Sequence, residues 1–264
     1  MDSARPSPRG LAAIFAQPGV ADAYQHRPPY PPDVFDVLEQ LITDRPRNVL
    51  DIGAGEGALA RQLAPRVDHL DAMDVSAAMV AAGRRRPGGQ QSNLHWIVGA
   101  VETGELGGPY ALVTAGASLH WMAGEETMAR LAGVMTDNAF LAVVDHSPQE
   151  VPWRKELVEV IVRHSRNPDF DPRFSVVDAL CDERLFELTG RAKSAPMSFR
   201  QSVAAYVEQF HSTATLAREL MSSEEASAFD LAIKEIVRPW TVDDVLKMEI
   251  VATVAWGHPA RSGE

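Results

Sequence analysis

The stretch VLDIGAGEGALARQLA, Val49 to Ala64, decides the reading of this chain. A short apolar run, Asn48–Ile52, passes at once into glycines at 53, 55 and 57, then into a helix-forming segment, Ala58–Ala64, that stops at Pro65. A strand that turns directly into a helix needs residues tolerant of unusual φ/ψ, and glycines let a ligand approach the backbone closely. The helix start behind them offers free N–H groups. Gly53, Gly55 and Ala58 also satisfy G-x-G-x-x-G/A, so the glycines alone fit a dinucleotide as well as another nucleoside.

Carboxylates separate those ligands. Asp51 stands two residues before the first glycine and Glu56 lies inside the loop. Both disfavour a pyrophosphate and favour a cationic ligand. S-adenosylmethionine fits, with a sulfonium, an ammonium and no phosphate. The next apolar run, Val67–Asp74, ends in an acid 21 positions after Gly53. An acid there accepts hydrogen bonds from ribose hydroxyls in any nucleoside. Asp71 is a rival for that role, but strand parity and the N-cap signal of Ser76 favour Asp74.

Around this stretch the signals alternate. A helix begins near Pro32, with Val34, Val37, Leu38, Leu41 and Ile42 at helical spacing, and the segment ends at Pro46. Strands are predicted at 48–52, 67–74, 94–98, 110–115 and 139–145, with helices from Ser76 to Arg85 and over 125–135. The expected fold is α/β: a Rossmann-like, seven-stranded, mostly parallel sheet with helices on both faces and a helical substrate cap. Helices are predicted at 151–164, 176–188, 203–210, 215–220 and 224–237, with β structure near 191–200 and 246–256. Residues 1–19 read as a disordered tail and 20–264 as one domain. Its cofactor-binding core covers about 45–146 plus C-terminal strands, and its cap covers 20–44 and about 147–245.

Composition narrows the function. The net charge of −11, from 36 acidic and 25 basic side chains, repels phosphate backbones and argues against nucleic acid. The longest apolar runs are strand-sized, short of the ~20 residues of a membrane span. The N-terminus MDSARPSPRG lacks an apolar signal core. A lone cysteine, Cys181, rules out an internal disulfide and reads as a small buried apolar side chain. The expected setting is the reducing cytoplasm, as a monomer or homodimer. The run Arg84–Arg86 ends a helix and complements its dipole. Asp145 and His146 lack further ligands at metal-binding spacing, so no metal is expected.

Four segments, RPPYPPDVFDVL (27–38), VLDIGAGEGALARQLA (49–64), LDAMDVSAAMVAAGRRR (70–86) and YALVTAGASLHWM (110–122), resemble the class I S-adenosylmethionine-dependent methyltransferases. The likeness is strongest to the small-molecule branch called methyltransferase type 11. It covers about 20–145 well and the C-terminal part more loosely. It implies S-adenosyl-L-methionine as cofactor. Asp51 would face the methionine end, with Gly53, Ala54 and Gly55 approached by backbone and Asp74 on the ribose. Val75 and Met79 would flank the adenine. The family's Gly-Asp-Ala-Glu after the third strand reads Gly99-Ala100-Val101-Glu102 here, so Ala100 replaces the adenine-binding acid and leaves Val101 and Glu102 at that position. Ala115 and Gly116 would contact the methionine part. Tyr24 and Arg27 fall where the family's N-terminal segment closes over the cofactor.

Methyl transfer needs alignment and exclusion of water, and a base only for a weakly acidic nucleophile. His120 and His146 follow the fourth and fifth strands, on the edge where open α/β sheets bind ligands, and imidazole titrates near neutrality. Each reads either as a base or as a packing or loop residue. Trp121, Trp153 and His211 are substrate candidates, and Phe170, Phe174 and His164 could line the cap or belong to a core. The expected function is methyl transfer to an oxygen of a small hydrophobic metabolite in a natural-product setting. Alternatives are N- or C-methylation, or a non-methylating protein that keeps the cofactor pocket.

Overall fold

The computed structural model describes residues 13–122 and 124–260. Among them run nine strands: β1 Asn48–Ile52, β2 His69–Asp74, β3 Leu94–Val98, β4 Tyr110–Gly116, β5 Met135–Pro148, β6 Phe186–Lys193, β7 Met197–Ser202, β8 Thr241–Val242 and β9 Val245–Pro259. The chain divides into two compact units. One comprises 30–147, 175–195 and 251–260, the other 13–29, 148–174 and 196–250.

The first unit carries the sheet, with the strand path β3-β2-β1-β4-β5-β9-β6. β1 pairs in parallel with β2 and β4, β2 with β3, and β4 with β5. β6 pairs antiparallel with residues 253–259 of β9. The predicted seven-stranded, mostly parallel sheet is therefore present. Its central strands are buried on both faces, and β4 is buried along almost its whole length, which is why they read as continuous apolar runs rather than alternating ones.

One face packs Val34, Phe35 and Leu38 of the helix Asp33–Gln40, with Leu59 and Leu63, against Val49, Leu70 and Leu112. The other packs Met128 and Leu131 of the helix Gly124–Val134, and Val177 and Leu180 of the helix Val176–Asp182, against Leu50, Ile52, Val113 and Leu141. Each fully buried leucine contributes roughly 1.5–3 kcal/mol of transfer free energy. The helix Asp33–Gln40, read from sequence as cap, thus belongs to the sheet's core. So do 175–195.

That last stretch differs most from expectation. The predicted helix 176–188 ends at Asp182. Arg184 takes a left-handed φ of +59°, its N–H donating to the Cys181 carbonyl, and Leu185 N–H closes on the Leu180 carbonyl. Helices usually end in this way at a glycine, and none stands here, so no stop signal was visible. Strand β6 follows at once. Cys181 is half-buried against the same core rather than fully buried.

The second unit has its own core. Trp153, Val160, Tyr206, Phe229, Ile233, Leu246 and Ile250 pack together. They come from the helices Arg154–His164, Val203–His211 and Ser223–Val237 and from a small antiparallel sheet. There β7 pairs with residues 245–250 of β9, and β8 with Val245 and Leu246. The helix Ser223–Val237 starts on a capping box between Ser222 and Glu225. Of the predicted tail 1–19, residues 1–12 lie outside the described residues, Ala13–Ala16 form a 3-10 turn and Pro18 opens a helix through Tyr24. Among the described residues no helix is long and apolar enough to cross a membrane.

Candidate cofactor site

The glycine loop leaves the carboxyl end of β1 and is hydrogen-bonded to the carboxyl end of β2 through Ala54 and Gly55. Gly53, Gly55 and Gly57 all take left-handed φ, +59°, +57° and +77°. The three glycines do different jobs. A Cβ on Gly53 would stand 2.5 Å from Ser118 Cβ, and Ser118 Oγ itself donates to the Ile52 carbonyl at 2.8 Å. A Cβ on Gly57 would meet the Trp96 ring at 2.5 Å, so this glycine serves packing under the loop. The segment behind is shorter than predicted: a single α turn, Ala60–Leu63, continued by a 3-10 turn through Arg66. The expected free helix start is therefore reduced to one turn.

Asp74 ties the loop down. Its Oδ2 accepts the Gly55 N–H and its Oδ1 the Ser76 N–H, each at 2.8 Å. Ser76 caps the next helix by accepting from Met79 N–H. The Asp74 carboxyl is buried at the strand end, and burial raises its pKa. Each oxygen keeps a lone pair for a further donor. The strand-end acid that the sequence favoured is thus in place, while its rival Asp71 points elsewhere and accepts from Tyr110.

Asp51 is fully buried in β1 and accepts a hydrogen bond from Thr114 Oγ1 at 2.8 Å. Burial pushes its carboxyl up to about 7; the Thr114 bond opposes this and the charge on Asp74 adds to it. A cation brought alongside would draw Asp51 into its charged form.

Glu56 corrects the sequence argument. Its carboxylate accepts Arg86 Nε at 2.9 Å and lies 3.6 Å from the Arg61 guanidinium. Two guanidiniums neutralise it inside the unit, so Glu56 does not bear on the charge of the ligand. Asp51 carries that argument alone. Arg86 is thereby more than a helix-ending cation.

The remaining predicted residues separate by unit. In the sheet unit, Val75 is exposed beyond β2, whereas Met79, Val101 and Ala115 are buried in the core. Ala54 is half-buried, its N–H donating to the Met73 carbonyl. Glu102 accepts from Thr127 Oγ1 at 3.4 Å. His120 and Trp121 sit on a 3-10 turn after β4, ring centroids 4.6 Å apart, with His120 exposed. His146, on β5, stacks on Tyr30 at 4.3 Å.

Tyr24, Arg27, Trp153 and His211 belong to the other unit. The Arg27 guanidinium lies over the Tyr24 ring at 4.0 Å and its Nε donates to Ser212 Oγ at 2.7 Å. Two of the substrate candidates are corrected. Trp153 is a core residue whose Nε1 donates to Tyr206 Oη at 2.9 Å. His211 is fully buried, with Nδ1 on the Leu216 carbonyl and Nε2 on Asp230, both at 2.8 Å. Both ring nitrogens are spent within the unit. His164 meets Phe229 edge to face, while Phe174 is exposed.

Sequence reasoning missed Thr114, Ser118 and Ala117. Thr114 looks like one more β-branched strand residue until the register sets it opposite Asp51. Ala117 holds a φ of +48° just beyond β4, a strained conformation for a non-glycine at the strand end facing the loop.

Residues 49–138 match a family model described as a methyltransferase domain. Over that span the chain is similar to methyltransferase domains. The matched span runs from β1 into β5 and contains the whole loop. Uncharacterized methyltransferases of Mycobacterium bovis and Mycobacterium tuberculosis are 30% identical over 110 residues, 41% of this chain and 55% of theirs. A trans-aconitate 2-methyltransferase of a Mycobacterium species is 35% identical over 112 residues, 41% of this chain and 42% of its own length. The chain thus spans about half the length of the curated relatives it matches. Among solved structures, a protein of Anaeromyxobacter dehalogenans provisionally described as a type II methyltransferase superposes with a TM-score of 0.59 at 20% identity, over 89% of this chain and 99% of that one. That likeness bears on the fold.

Methyltransferase domains of this kind take S-adenosylmethionine as cofactor, and the residues of the matched span fit it. The loop takes positive φ at Gly53, which is half-buried, and at Gly55, whose N–H Asp74 accepts; Asp74 offers carboxylate oxygens at the end of β2, and Asp51 supplies a buried carboxyl raised to about 7.

Proposed function

We propose that this chain transfers a methyl group from S-adenosylmethionine to an oxygen of a small, hydrophobic metabolite in a natural-product setting. The observation that carries the reading is the buried Asp51 carboxyl beside a positive-φ glycine loop that Asp74 holds by its backbone. When bound, the cofactor supplies an electrophilic methyl on its sulfonium. The work of the chain is then binding and orientation. Asp74 takes the ribose hydroxyls, Asp51 answers the ammonium, and the backbone of Gly53 and Gly55 seats the methionine part.

A phenol or alcohol nucleophile has a proton to lose, whereas a carboxylate has none. His120, exposed after β4, is the base in this reading, and His146 on β5 is the alternate. Trp121 beside His120 contributes an apolar surface for the acceptor. The acidic balance of the chain favours a small molecule over nucleic acid, and its single cysteine favours a reducing cytoplasmic setting. The relative named for trans-aconitate supports a small acceptor.

The test is incubation with methyl-labelled S-adenosylmethionine and a panel of phenols, alcohols, carboxylic acids and amines. Label on oxygen, with a loss of ~10²-fold in His120→Ala, is the expected result. Label on nitrogen or carbon, with His120→Ala near wild type, overturns the oxygen assignment. Cofactor that binds but never releases its label overturns methyl transfer itself.

A further inference from the structure

The sheet unit holds a second constellation, on β2 and β3, that the cofactor site does not use. His69 opens β2, and Asp71 stands two residues on, with its side chain on the same face. The parallel register places His95 of β3 directly opposite Asp71. His69 Nε2 lies 2.8 Å from Asp71 Oδ1, and His95 Nδ1 lies 3.9 Å from the same oxygen. One donor atom from each of the three residues falls within 4.8 Å of the others. The two imidazoles meet edge to face, ring centroids 4.5 Å apart.

We propose that His69, Asp71 and His95 form a binding site for a divalent transition metal, with zinc as its representative. Two imidazoles and one carboxylate are the donor set that suits zinc, nickel or copper rather than magnesium or calcium. Donors ~2.0–2.2 Å from a tetrahedral zinc stand roughly 3.4 Å apart, and the two distances to Asp71 Oδ1 bracket that spacing. Both imidazoles are solvent-accessible and free to adjust their rings, while the carboxylate is mostly buried. Three protein ligands leave a fourth position for water.

The surroundings of Asp71 are built as a metal carboxylate's usually are. Its far oxygen, Oδ2, accepts the phenol O–H of the buried Tyr110 at 2.7 Å, and Tyr110 Oη in turn accepts the Gly107 N–H at 3.1 Å. This chain fixes the carboxylate with Oδ1 turned toward both histidines. A hydrogen-bonded pair accounts for His69 and Asp71 alone; it gives no reason for a second imidazole on the same oxygen.

The location sets the role. His69 is at the opposite end of β2 from Asp74, away from the glycine loop. β3 ends the strand path and pairs only with β2 along it. A metal held by residues of both strands ties the terminal strand to the sheet and stabilises the fold by mass action, with no part in methyl transfer.

The test uses the full chain without an affinity tag. Zinc chloride is titrated by calorimetry, and thermal melting is followed with and without the metal. One zinc per chain and a raised Tm are expected. His95→Gln and His69→Gln should each weaken zinc at least tenfold and remove the Tm rise. The exposed position of His95 keeps the metal-free Tm of that variant at the wild-type value. Tyr110→Phe should weaken binding ~10-fold, as loss of a partner outside the ligand set does. No zinc binding by the wild type, or binding unchanged in both histidine variants, overturns the proposal.

Discussion

Thr114 Oγ1 donates to the buried carboxyl of Asp51 at 2.8 Å, across the parallel pairing of β1 and β4. The bond is the side-chain contribution that restrains a carboxyl otherwise driven toward neutrality by burial. Thr114→Val keeps the shape and removes the donor. Losing a hydrogen bond to a buried charged group costs about 1.5–3 kcal/mol. At neutral pH the affinity for S-adenosylhomocysteine should fall by about 10- to 100-fold, read by calorimetry.

The same carboxyl sets a pH dependence. Its folded pKa, about 7, stands above the ordinary carboxylate value. The folded state therefore holds a proton that the unfolded state has lost, and stability falls as pH rises between the two values. A cationic ligand reverses the preference, because it favours the charged form. Affinity for S-adenosylhomocysteine should rise from pH 6 to pH 8. Asp51→Asn should flatten that rise, which titrations at three pH values would show.

Gly53 sits where a side chain has no room. Gly53→Ala pays ~1–2 kcal/mol for a left-handed alanine and drives its Cβ into Ser118. Cofactor affinity and Tm should both drop. Adding Ser118→Gly should return the part due to the clash and leave the backbone part. A double-mutant cycle with no coupling between the two positions would contradict this packing.

His211 and Trp153 separate core from substrate contact. His211→Ala removes the hydrogen bonds to the Leu216 carbonyl and to Asp230, leaving Asp230 paired with Arg218 alone. The expected loss is about 2–4 kcal/mol in urea unfolding. Trp153→Phe gives up the bond to Tyr206 and part of the buried ring volume, about 2 kcal/mol. In both, kcat per folded molecule should stay near wild type. A change in KM without a change in stability would return these residues to the substrate.

Much of the sheet unit was legible in the sequence because its central strands are short, apolar and punctuated by glycine and proline. Asn48–Ile52 and Leu94–Val98 stand where the pattern put them. The place of Asp74 at the end of β2 was legible too, since a strand-end acid before a serine cap is a local signal. The break at Arg184 was not, because an arginine filled a position that glycine usually marks. The neutralisation of Glu56 needed Arg86, thirty positions on, to be brought beside it. Thr114 became visible only through the register of β1 with β4, and Ser118 only through its bond to the Ile52 carbonyl. The fate of His211 depended on Asp230, nineteen residues away on another helix. Local pattern carries strands and turns; pairing between distant segments carries charge balance.

The central claim is that the loop from Gly53 to Gly57 seats S-adenosylmethionine. Calorimetric titration of the full chain with S-adenosylhomocysteine, and separately with NADH, tests it most directly. The account predicts one S-adenosylhomocysteine per chain, no heat from NADH, and an affinity at least tenfold weaker in Asp74→Asn, whose amide would present a donor to the Gly55 or Ser76 N–H. Saturable binding of NADH with none of S-adenosylhomocysteine would contradict it.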